Sequence, residues 1–176
     1  KIHFVFDKTK KATDLKKLFL RKYKNSSPLN SDYIVVGGGD GFMLKSLKKY
    51  LKLNKPFYGI NCGTFGFLLN NHNSKNIFKK LRKLKKTIIN PLELLVTNKS
   101  NIKKKLFAIN EVSIFRQSKQ TASIQLKVQK KTIIKKLIGD GVLISTPAGS
   151  TGYNLSVHGP ILSLNSGKLA ITPISA

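Results

Sequence analysis

The segment Tyr33-Ile34-Val35-Val36-Gly37-Gly38-Gly39-Asp40-Gly41 decides the fold that this sequence predicts. Its apolar residues form a short run that ends in glycines, which is typical of a buried strand. Apolar residues then recur at helical spacing: Met43, Leu44, Leu47 and Leu51. We therefore predict a buried strand that passes through a glycine loop into a helix.

The same alternation of strand and helix continues on both sides of this segment. Further strands are predicted at Ile2–Phe6 and Phe57–Ile60. Two more helices are predicted from apolar residues at helical spacing. The first lies behind Thr13-Asp14 and has the apolar residues Leu15, Leu18 and Phe19. The second lies after Ser74 and has the apolar residues Ile77, Phe78, Leu81 and Leu84. Strands that alternate with helices indicate a parallel sheet with crossover helices.

From Ile88 onward the pattern favours strands. Ala122, Ile124, Leu126 and Val128 alternate with polar residues, and Gln129-Lys130-Lys131 predicts a hairpin turn into a strand at Thr132–Leu137. The other predicted strands are Phe107–Phe115, Val142–Ser145 and Leu169–Ile174. We place a domain boundary near Asn90-Pro91, with an α/β domain at 1–90 and a β-rich domain at 91–176. The β-rich domain is expected to be incomplete at its carboxyl end, because the chain stops on a strand.

Composition narrows the class of protein. With 176 residues, of which 40% are apolar, the chain can fill a core, and no apolar run reaches the roughly 18 residues of a membrane span. Cys62 has no partner for an internal disulfide, and with three histidines in the chain no metal cage is predicted. These features favour a cytoplasmic protein.

The net charge of +26 comes from 33 Lys and Arg against 7 Asp and Glu. Nearly all of this excess is Lys, and the lysines alternate with apolar residues as on solvated helix faces. They form no compact stripe with interleaved aromatic residues, and a genome rich in AT codons would explain the excess. Nucleic acid is therefore not the expected main partner, although a basic binding module stays open as an alternative.

The glycine loop that ends at Gly41 has the features of a phosphate site. Consecutive glycines bring backbone N–H groups close to a ligand, and the following helix adds the positive end of its dipole. The loop matches neither the P-loop nor the dinucleotide fingerprint. Asp40 would repel phosphate, so it makes sense as a base that takes a hydroxyl proton or as a metal ligand. The alternative is a tight turn in which Asp40 caps the helix.

Two further loops and one acidic residue extend this pattern. Gly59–Leu68 is a glycine-bearing loop after a strand, and Gly139–Ser156 is rich in glycines and small hydroxyl residues that could hydrogen-bond a base or a ribose. Asn110-Glu111 lies within the apolar stretch Leu106–Phe115, where a carboxylate is costly unless donors pair with it. Two neighbouring ribose hydroxyls would supply such donors. A Glu that points outward from a half-buried strand is the alternative.

Together these motifs resemble the NAD kinase family, in its bacterial branch. The resemblance rests on four segments in order and at compatible spacing, namely Gly38-Gly39-Asp40-Gly41, Gly59–Leu68, Asn110-Glu111, and Asp140-Gly141 through Ser145–Ser156. The first segment alone is shared with lipid kinases and phosphofructokinase-like enzymes. The resemblance implies a parallel Rossmann-like sheet followed by a β-sandwich-like domain.

The family's activity implies the reaction. Its members transfer the γ-phosphoryl group of ATP, or in some members of polyphosphate, to the 2′-hydroxyl of the adenosine ribose of NAD, which gives NADP. The resemblance implies that ATP and NAD bind as substrates with Mg²⁺ or a similar ion, and that the chain forms a homodimer or homotetramer. It assigns no metal-ligating residue.

The resemblance also implies roles for individual residues. Asp40 matches the proton acceptor, with Gly39 and Gly41 beside it in the substrate loop. The other matching positions are Lys45 as a basic substrate contact, Asn61 in the neighbouring loop, Asn110 and Glu111 at adenine and ribose groups of NAD, Asp140 at the nicotinamide end, and Thr151, Gly152, Tyr153 and Ser156 around the adenine. A diacylglycerol-type lipid kinase would share Asp40 without needing Asn110-Glu111, and remains the first alternative.

Overall fold

Two units of different architecture make up the chain, for which the computed structural model describes residues 1–64, 66–71 and 76–176. The amino-terminal unit is Lys1–Lys86 and the carboxyl-terminal unit is Thr87–Ala176. The division lies a few residues before Asn90-Pro91. Within the described residues, no helix is long and apolar enough to cross a membrane.

The amino-terminal unit is built on a three-stranded parallel sheet in the order β1-β2-β3. Its strands are β1 (Ile2–Phe6), β2 (Tyr33–Gly38) and β3 (Phe57–Asn61), and its helices are α1 (Lys10–Lys22), α2 (Asp40–Tyr50) and α3 (Ile77–Lys83), with a 3₁₀ turn at Leu51–Leu53. The predicted alternation of strands and helices is confirmed, as is the parallel pairing.

The central strand β2 is buried on both faces, which explains its continuous apolar run. On one face, Val35 packs in a cluster with Phe4 and Ile60 of the neighbouring strands and with residues of α1 and α3. On the other face, Ile34 and Val36 pack against Met43 and Tyr50 of α2. Helices therefore cover both sides of the sheet.

The first helix begins earlier than the sequence predicted. It starts at Lys10, where the Thr9 hydroxyl accepts a hydrogen bond from the backbone N–H of Ala12, so Thr13 and Asp14 lie inside the helix. Phe19 is buried as predicted, but Leu18 is 64% exposed. The buried face therefore follows Ala12 and Phe19, seven residues apart, which is two helical turns.

Helix α3 begins at Ile77, which lies after position 74 as predicted. The side chain of Asn76 caps this helix by accepting a hydrogen bond from the backbone N–H of Lys79, 3.2 Å away. Ser74, which the sequence placed before the helix, lies outside the described residues. Ile77 and Leu81 face the core, whereas Phe78 is exposed.

The carboxyl-terminal unit is rich in antiparallel strands. They are β4 (Leu92–Thr97), β5 (Lys103–Ala108), β6 (Glu111–Phe115), β7 (Ala122–Val128), β8 (Lys131–Gly139), β9 (Gly141–Ser145) and β10 (Ala170–Ile174), with a short helix α4 (Tyr153–Ser156). One sheet has the order β10-β9-β6, while β4 pairs with β5 and β7 pairs with β8 as two-stranded ribbons. The predicted hairpin is confirmed, and Gln129 and Lys130 form its turn with φ of 50° and 67°.

The predicted strand Phe107–Phe115 is wrong, because the chain breaks it into β5 and β6. Ile109 and Asn110 lie between the two strands. Their carbonyl oxygens accept hydrogen bonds from Thr146, through its side-chain hydroxyl and its backbone N–H respectively. These bonds divert the backbone from sheet pairing, so Glu111 becomes the first residue of β6 instead of an interior one.

The substitution Gly59→Ala tests the packing of β3 against the loop that follows it. A Cβ on Gly59 would lie 2.4 Å from Cδ2 of Leu69 and 2.9 Å from the carbonyl oxygen of Leu68. We expect a loss of about 1–3 kcal/mol in the free energy of unfolding, as for overpacking elsewhere, measured by chemical denaturation. Gly39→Ala is the matched control, since no described atom lies within 4 Å of its Cβ position. Equal stability of the two variants would contradict this packing.

Candidate functional site

Asp40 is held against the loop that follows β3. Its Oδ2 accepts a hydrogen bond of 2.7 Å from the backbone N–H of Phe67, and its Oδ1 accepts one of 3.1 Å from that of Leu68. Gly39 occupies the cap position of α2, which has no side-chain cap bond. The alternative in which Asp40 caps the helix is therefore wrong, and the carboxylate joins two glycine-bearing loops at one edge of the sheet.

The glycines on either side of Asp40 are not required by the chain's own packing. A Cβ on Gly39 or Gly41 would meet no described atom within 4 Å, and neither residue has a positive φ. By contrast, a Cβ on Gly37 would lie 2.6 Å from the ring of Phe6. Glycine at 39 and 41 leaves bare backbone beside Asp40 at the start of α2, which suits a phosphate ligand.

Asn61 lies at the same edge of the sheet as the glycine loop. It pairs with Gly38 in the β2–β3 register, and its Oδ1 accepts a hydrogen bond of 2.8 Å from the backbone N–H of Gly63. The side chain therefore shapes the loop. Lys45 lies on α2 and is exposed.

The loop after β3 also presents an exposed aromatic side chain, that of Phe67. The side chain of Phe67 is 75% exposed, next to the backbone N–H that holds Asp40. Phe67 was not among the site residues predicted from sequence, where an aromatic residue after a glycine is its only signal. Burial raises the pKa of the Cys62 thiol, which disfavours the thiolate. Phe65 lies outside the described residues.

Asn110 and Glu111 present two buried oxygens that lack partners. Within the described part of the chain, neither Oδ1 of Asn110 nor Oε2 of Glu111 has a hydrogen-bond partner. Burial raises the pKa of Glu111 above its ordinary value. A Cβ on Gly152 would lie 3.8 Å from both Nδ2 of Asn110 and Oε2 of Glu111, so these three residues lie together. Buried acceptors without donors are costly, and a ligand with hydroxyl groups would satisfy them.

Much of the hydroxyl-rich segment faces inward. Thr146, Ser150 and Asn154 are buried, and their side chains bond within the carboxyl-terminal unit. Asn154 accepts a hydrogen bond of 2.7 Å at Oδ1 from the Thr172 hydroxyl and donates from Nδ2 to the Pro160 carbonyl oxygen at 2.9 Å. The hydroxyls of Thr146 and Ser150 therefore bond within the unit and do not face a ligand.

The predicted site residues of this segment remain accessible. Thr151 and Gly152 are half-buried, while Tyr153 and Ser156, at the two ends of α4, are exposed. The structure thus places Gly152 beside Asn110 and Glu111 and leaves the neighbouring positions open to a ligand. Sequence reasoning could not separate the inward from the outward side chains, because the segment has little periodicity.

Asp140 lies at the other end of the β6–β9 pair. Its Oδ1 accepts a hydrogen bond from Nε of Arg116, and its carbonyl oxygen accepts one from the Arg116 backbone N–H at 2.8 Å. Glu111 pairs with Ser145 and Phe115 pairs with Gly141. At about 3.4 Å per residue, Arg116 lies about 17 Å along the strand from Glu111. The acidic candidates of this unit therefore mark two ends of one strand.

Glu111→Gln is expected to stabilise the unliganded chain at neutral pH. Removing the charge removes the cost of a buried carboxylate oxygen without a donor. We expect the Tm to rise by about 2 °C or more, measured by thermal unfolding. Glu93→Gln is the control, since that carboxylate is exposed and pairs with Lys105 at 2.8 Å. Loss of such a surface pair gives no gain in stability.

The pH dependence of this difference follows from the pKa of Glu111. Because the pKa is higher in the folded state, the folded chain binds more protons than the unfolded chain between the ordinary and the raised value. This carboxyl therefore makes the wild type more stable as pH falls through that window. The advantage of Glu111→Gln should shrink there. A difference in Tm that is independent of pH would contradict the burial of this charge.

Comparison with protein-family models identifies the carboxyl-terminal part of the chain. The model of the ATP-NAD kinase C-terminal domain matches residues 109–176. This range contains Asn110, Glu111, Asp140 and the segment from Thr146 to Ser156.

Curated relatives match along nearly the whole chain. The chain is 40% identical to the NAD kinase of Brucella suis over 174 residues, which cover 99% of this chain and 68% of the relative. It is 39% identical to the NAD kinase of Caulobacter vibrioides, covering 94% of this chain and 64% of the relative. It is 44% identical to that of Zymomonas mobilis, again with 64% of the relative covered. The chain thus spans about two thirds of the length of these relatives.

Solved structures agree with this similarity in fold. An NAD kinase from Archaeoglobus fulgidus, in complex with ATP, matches 99% of this chain and 72% of its own, with a TM-score of 0.75 and 25% identity. A yeast NADH kinase complexed with NADH matches 82% of this chain and 42% of its own, with a TM-score of 0.65 and 26% identity. Identities of about 40% over almost every residue, together with these folds, show that the chain belongs to the NAD kinase family.

Proposed function

We propose that this protein is an NAD kinase, which transfers the γ-phosphoryl group of ATP or polyphosphate to the 2′-hydroxyl of the adenosine ribose of NAD. The structural observation that carries this proposal is the pair of buried, unpartnered oxygens on Asn110 and Glu111 within the described chain. Neighbouring ribose hydroxyls and an adenine amino group are donors that match them. Thr151, Gly152, Tyr153 and Ser156 would surround the adenine.

In this proposal Asp40 accepts the proton of the attacking hydroxyl. Phosphoryl transfer depends mainly on positioning and charge stabilisation, so the protein needs few reacting groups. The two backbone N–H groups of Phe67 and Leu68 fix the orientation of the carboxylate. Each oxygen keeps a lone pair for the incoming proton. Gly39, Gly41 and the positive end of α2 would receive phosphate oxygens, and Lys45 and Asn61 would contact substrate from the same edge.

A divalent ion such as Mg²⁺ would neutralise charge on the transferring phosphoryl group. Mg²⁺ is usually held by substrate phosphates with one or two carboxylates. No three His, Cys, Asp or Glu side chains converge in the described ranges of this chain. The residues therefore fit an ion that binds together with the nucleotide, and Asp40 is the carboxylate in the glycine loop that could contribute to its binding.

The substrate range is proposed from relatives and from chemistry. The archaeal and yeast neighbours were solved with ATP and with NADH respectively. In this proposal Asn110 and Glu111 bind the adenosine part of NAD and do not contact the nicotinamide ring. NADH has the same adenosine part, so we expect the two residues to bind NADH in the same way. We propose ATP as the donor, with polyphosphate as the alternative donor.

The domain organisation is proposed to follow the function. We propose that the parallel sheet of 1–90 is Rossmann-like and carries the glycine loop. The β-rich part at 91–176 is proposed to be a β-sandwich-like domain that binds NAD. A cytoplasmic location is proposed as well, which a lone Cys62 supports.

Self-association as a homodimer or homotetramer is proposed for this chain. In the β10-β9-β6 sheet, Ile114 is 52% exposed and Ile171 is 47% exposed. The strand registers place both on one face with Val112 and Ile144. An apolar sheet face supports association between copies. In the assembly, Asp140 is proposed to reach the nicotinamide end of a ligand bound by the partner copy.

The alternatives weighed from sequence gain no support. Every curated relative described above is an NAD kinase, so a lipid kinase is not favoured. A basic nucleic-acid module would not require an unpartnered Glu111 carboxylate, which repels phosphates.

An assay of NADP formation tests the proposed function. We expect the protein to form NADP from NAD when ATP is present, with NADH and polyphosphate run as alternative substrates. Asp40→Asn should bind NAD as the wild type does and lose about 100-fold or more in kcat, the usual scale for a general base. Asp14→Asn, at an exposed position on α1, is the control and should retain full activity. Unchanged kcat in Asp40→Asn would remove Asp40 from the mechanism.

The quaternary proposal has its own test. Ile114→Lys places a charge on the apolar sheet face and is expected to shift the protein toward monomers in analytical ultracentrifugation. Ile133→Lys is the control, because Ile133 is 61% exposed on the β7–β8 ribbon. The same oligomer in all three proteins would rule out this face as the interface.

A further inference from the structure

Thr146 links the turn after β9 to the residues that precede β6. Its side chain is 1% exposed, and its hydroxyl donates a hydrogen bond of 2.7 Å to the carbonyl oxygen of Ile109. The same hydroxyl accepts one of 3.1 Å from the backbone N–H of Gly149. Its backbone N–H donates to the carbonyl oxygen of Asn110 at 2.8 Å. One residue therefore binds both peptide groups before Glu111.

This link continues into the proposed binding site. Gly149 packs so closely on Asn110 that a Cβ there would lie 2.4 Å from the Asn110 carbonyl oxygen. The carbonyl oxygen of Gly149 accepts a hydrogen bond of 2.8 Å from the backbone N–H of Gly152. Gly152 in turn lies beside the side chains of Asn110 and Glu111. The Thr146 hydroxyl thus holds the segment that ends in Asn110 and Glu111 at a fixed distance from the segment Gly149–Gly152.

The buried positions of the Asn110 and Glu111 side chains need such a restraint, because they are energetically unfavourable without a bound ligand. Two buried acceptor oxygens, on Asn110 and Glu111, lack donors within the described residues. A backbone free to move would rotate them toward water or toward nearby N–H groups, which would relieve the cost. Holding them in place keeps them available for ligand donors, and that preorganisation increases affinity.

We propose that Thr146 is a positioning residue for NAD, acting through Asn110 and Glu111 and not by contact with the ligand. This inference rests on the proposed function, since it concerns the residues assigned to the adenosine end of NAD. It assigns a role to a side chain that is fully buried and therefore out of reach of substrate.

Thr146→Val tests this role, because valine has the same shape without the hydroxyl. We expect KM for NAD to rise about tenfold, the effect of one lost hydrogen bond, while kcat stays within about twofold. Thr146→Ser restores the hydroxyl and should restore KM. A wild-type KM in Thr146→Val would overturn the proposal.

Ser150→Ala separates positioning from general stability. Ser150 is equally buried, and its hydroxyl bonds to the Pro147 carbonyl oxygen at 2.7 Å and accepts from the Leu162 backbone N–H at 3.0 Å. It has no bond to Ile109 or Asn110 in the described structure. We expect this variant to lower the Tm, as Thr146→Val does, without raising KM for NAD. Equal increases of KM in both variants would show that Thr146 acts only through stability.

Amide hydrogen exchange of the wild type provides a test that no variant can confound. The backbone N–H groups of Thr146 and Gly149 should exchange slowly already without NAD. Fast exchange that slows only when NAD binds would overturn the proposal, whether or not Thr146→Val folds. If the wild type forms no NADP and binds no NAD, the proposed function fails. Slow exchange would then still establish the restraint, but not its role in binding.

Discussion

The central strand β2 is the constraint on which the amino-terminal unit depends. Ile34, Val35 and Val36 are 0% exposed, so the strand must lie between two neighbours with helices on both faces. Its parallel pairing with β1 and β3 brings the carboxyl ends of the strands to one edge. The glycine loop and the loop after β3 meet there because of this pairing. The contact of Asp40 with Phe67 and Leu68 is a consequence of how the sheet is built.

Hydrophobic periodicity was sufficient to predict this sheet from sequence, but not the helix ends. The sequence predicted that the first helix begins behind Thr13-Asp14, although Thr9 also carries a hydroxyl that can cap a helix. The structure uses Thr9, because a helix that begins at Lys10 can bury both Ala12 and Phe19. Local capping preference allows the helix to begin after either threonine, and the packing of Ala12 and Phe19 against the sheet selects the earlier start. Cap residues alone could not reveal this choice.

The break between β5 and β6 shows a different limit. No glycine or proline interrupts Phe107–Phe115, so local signals predicted one strand. The interruption depends on hydrogen bonds from Thr146, which is far along the chain. From sequence, the Glu111 carboxylate was expected to be costly without donors, and in the described structure its Oε2 is buried and unpaired. The free-energy cost of burying a carboxylate can be inferred from the residue type, even where the course of the backbone cannot.

Strand β6 is five residues long. Glu111 is its first residue, and the ion pair of Arg116 with Asp140 lies just beyond its last. This length fixes the distance along the strand between the two acidic groups. Deleting one residue from the strand would shorten the interval by about 3.4 Å and turn every later side chain to the opposite face. Insertions and deletions should therefore be tolerated far better in the β7–β8 ribbon than in β6, where length and facing are coupled.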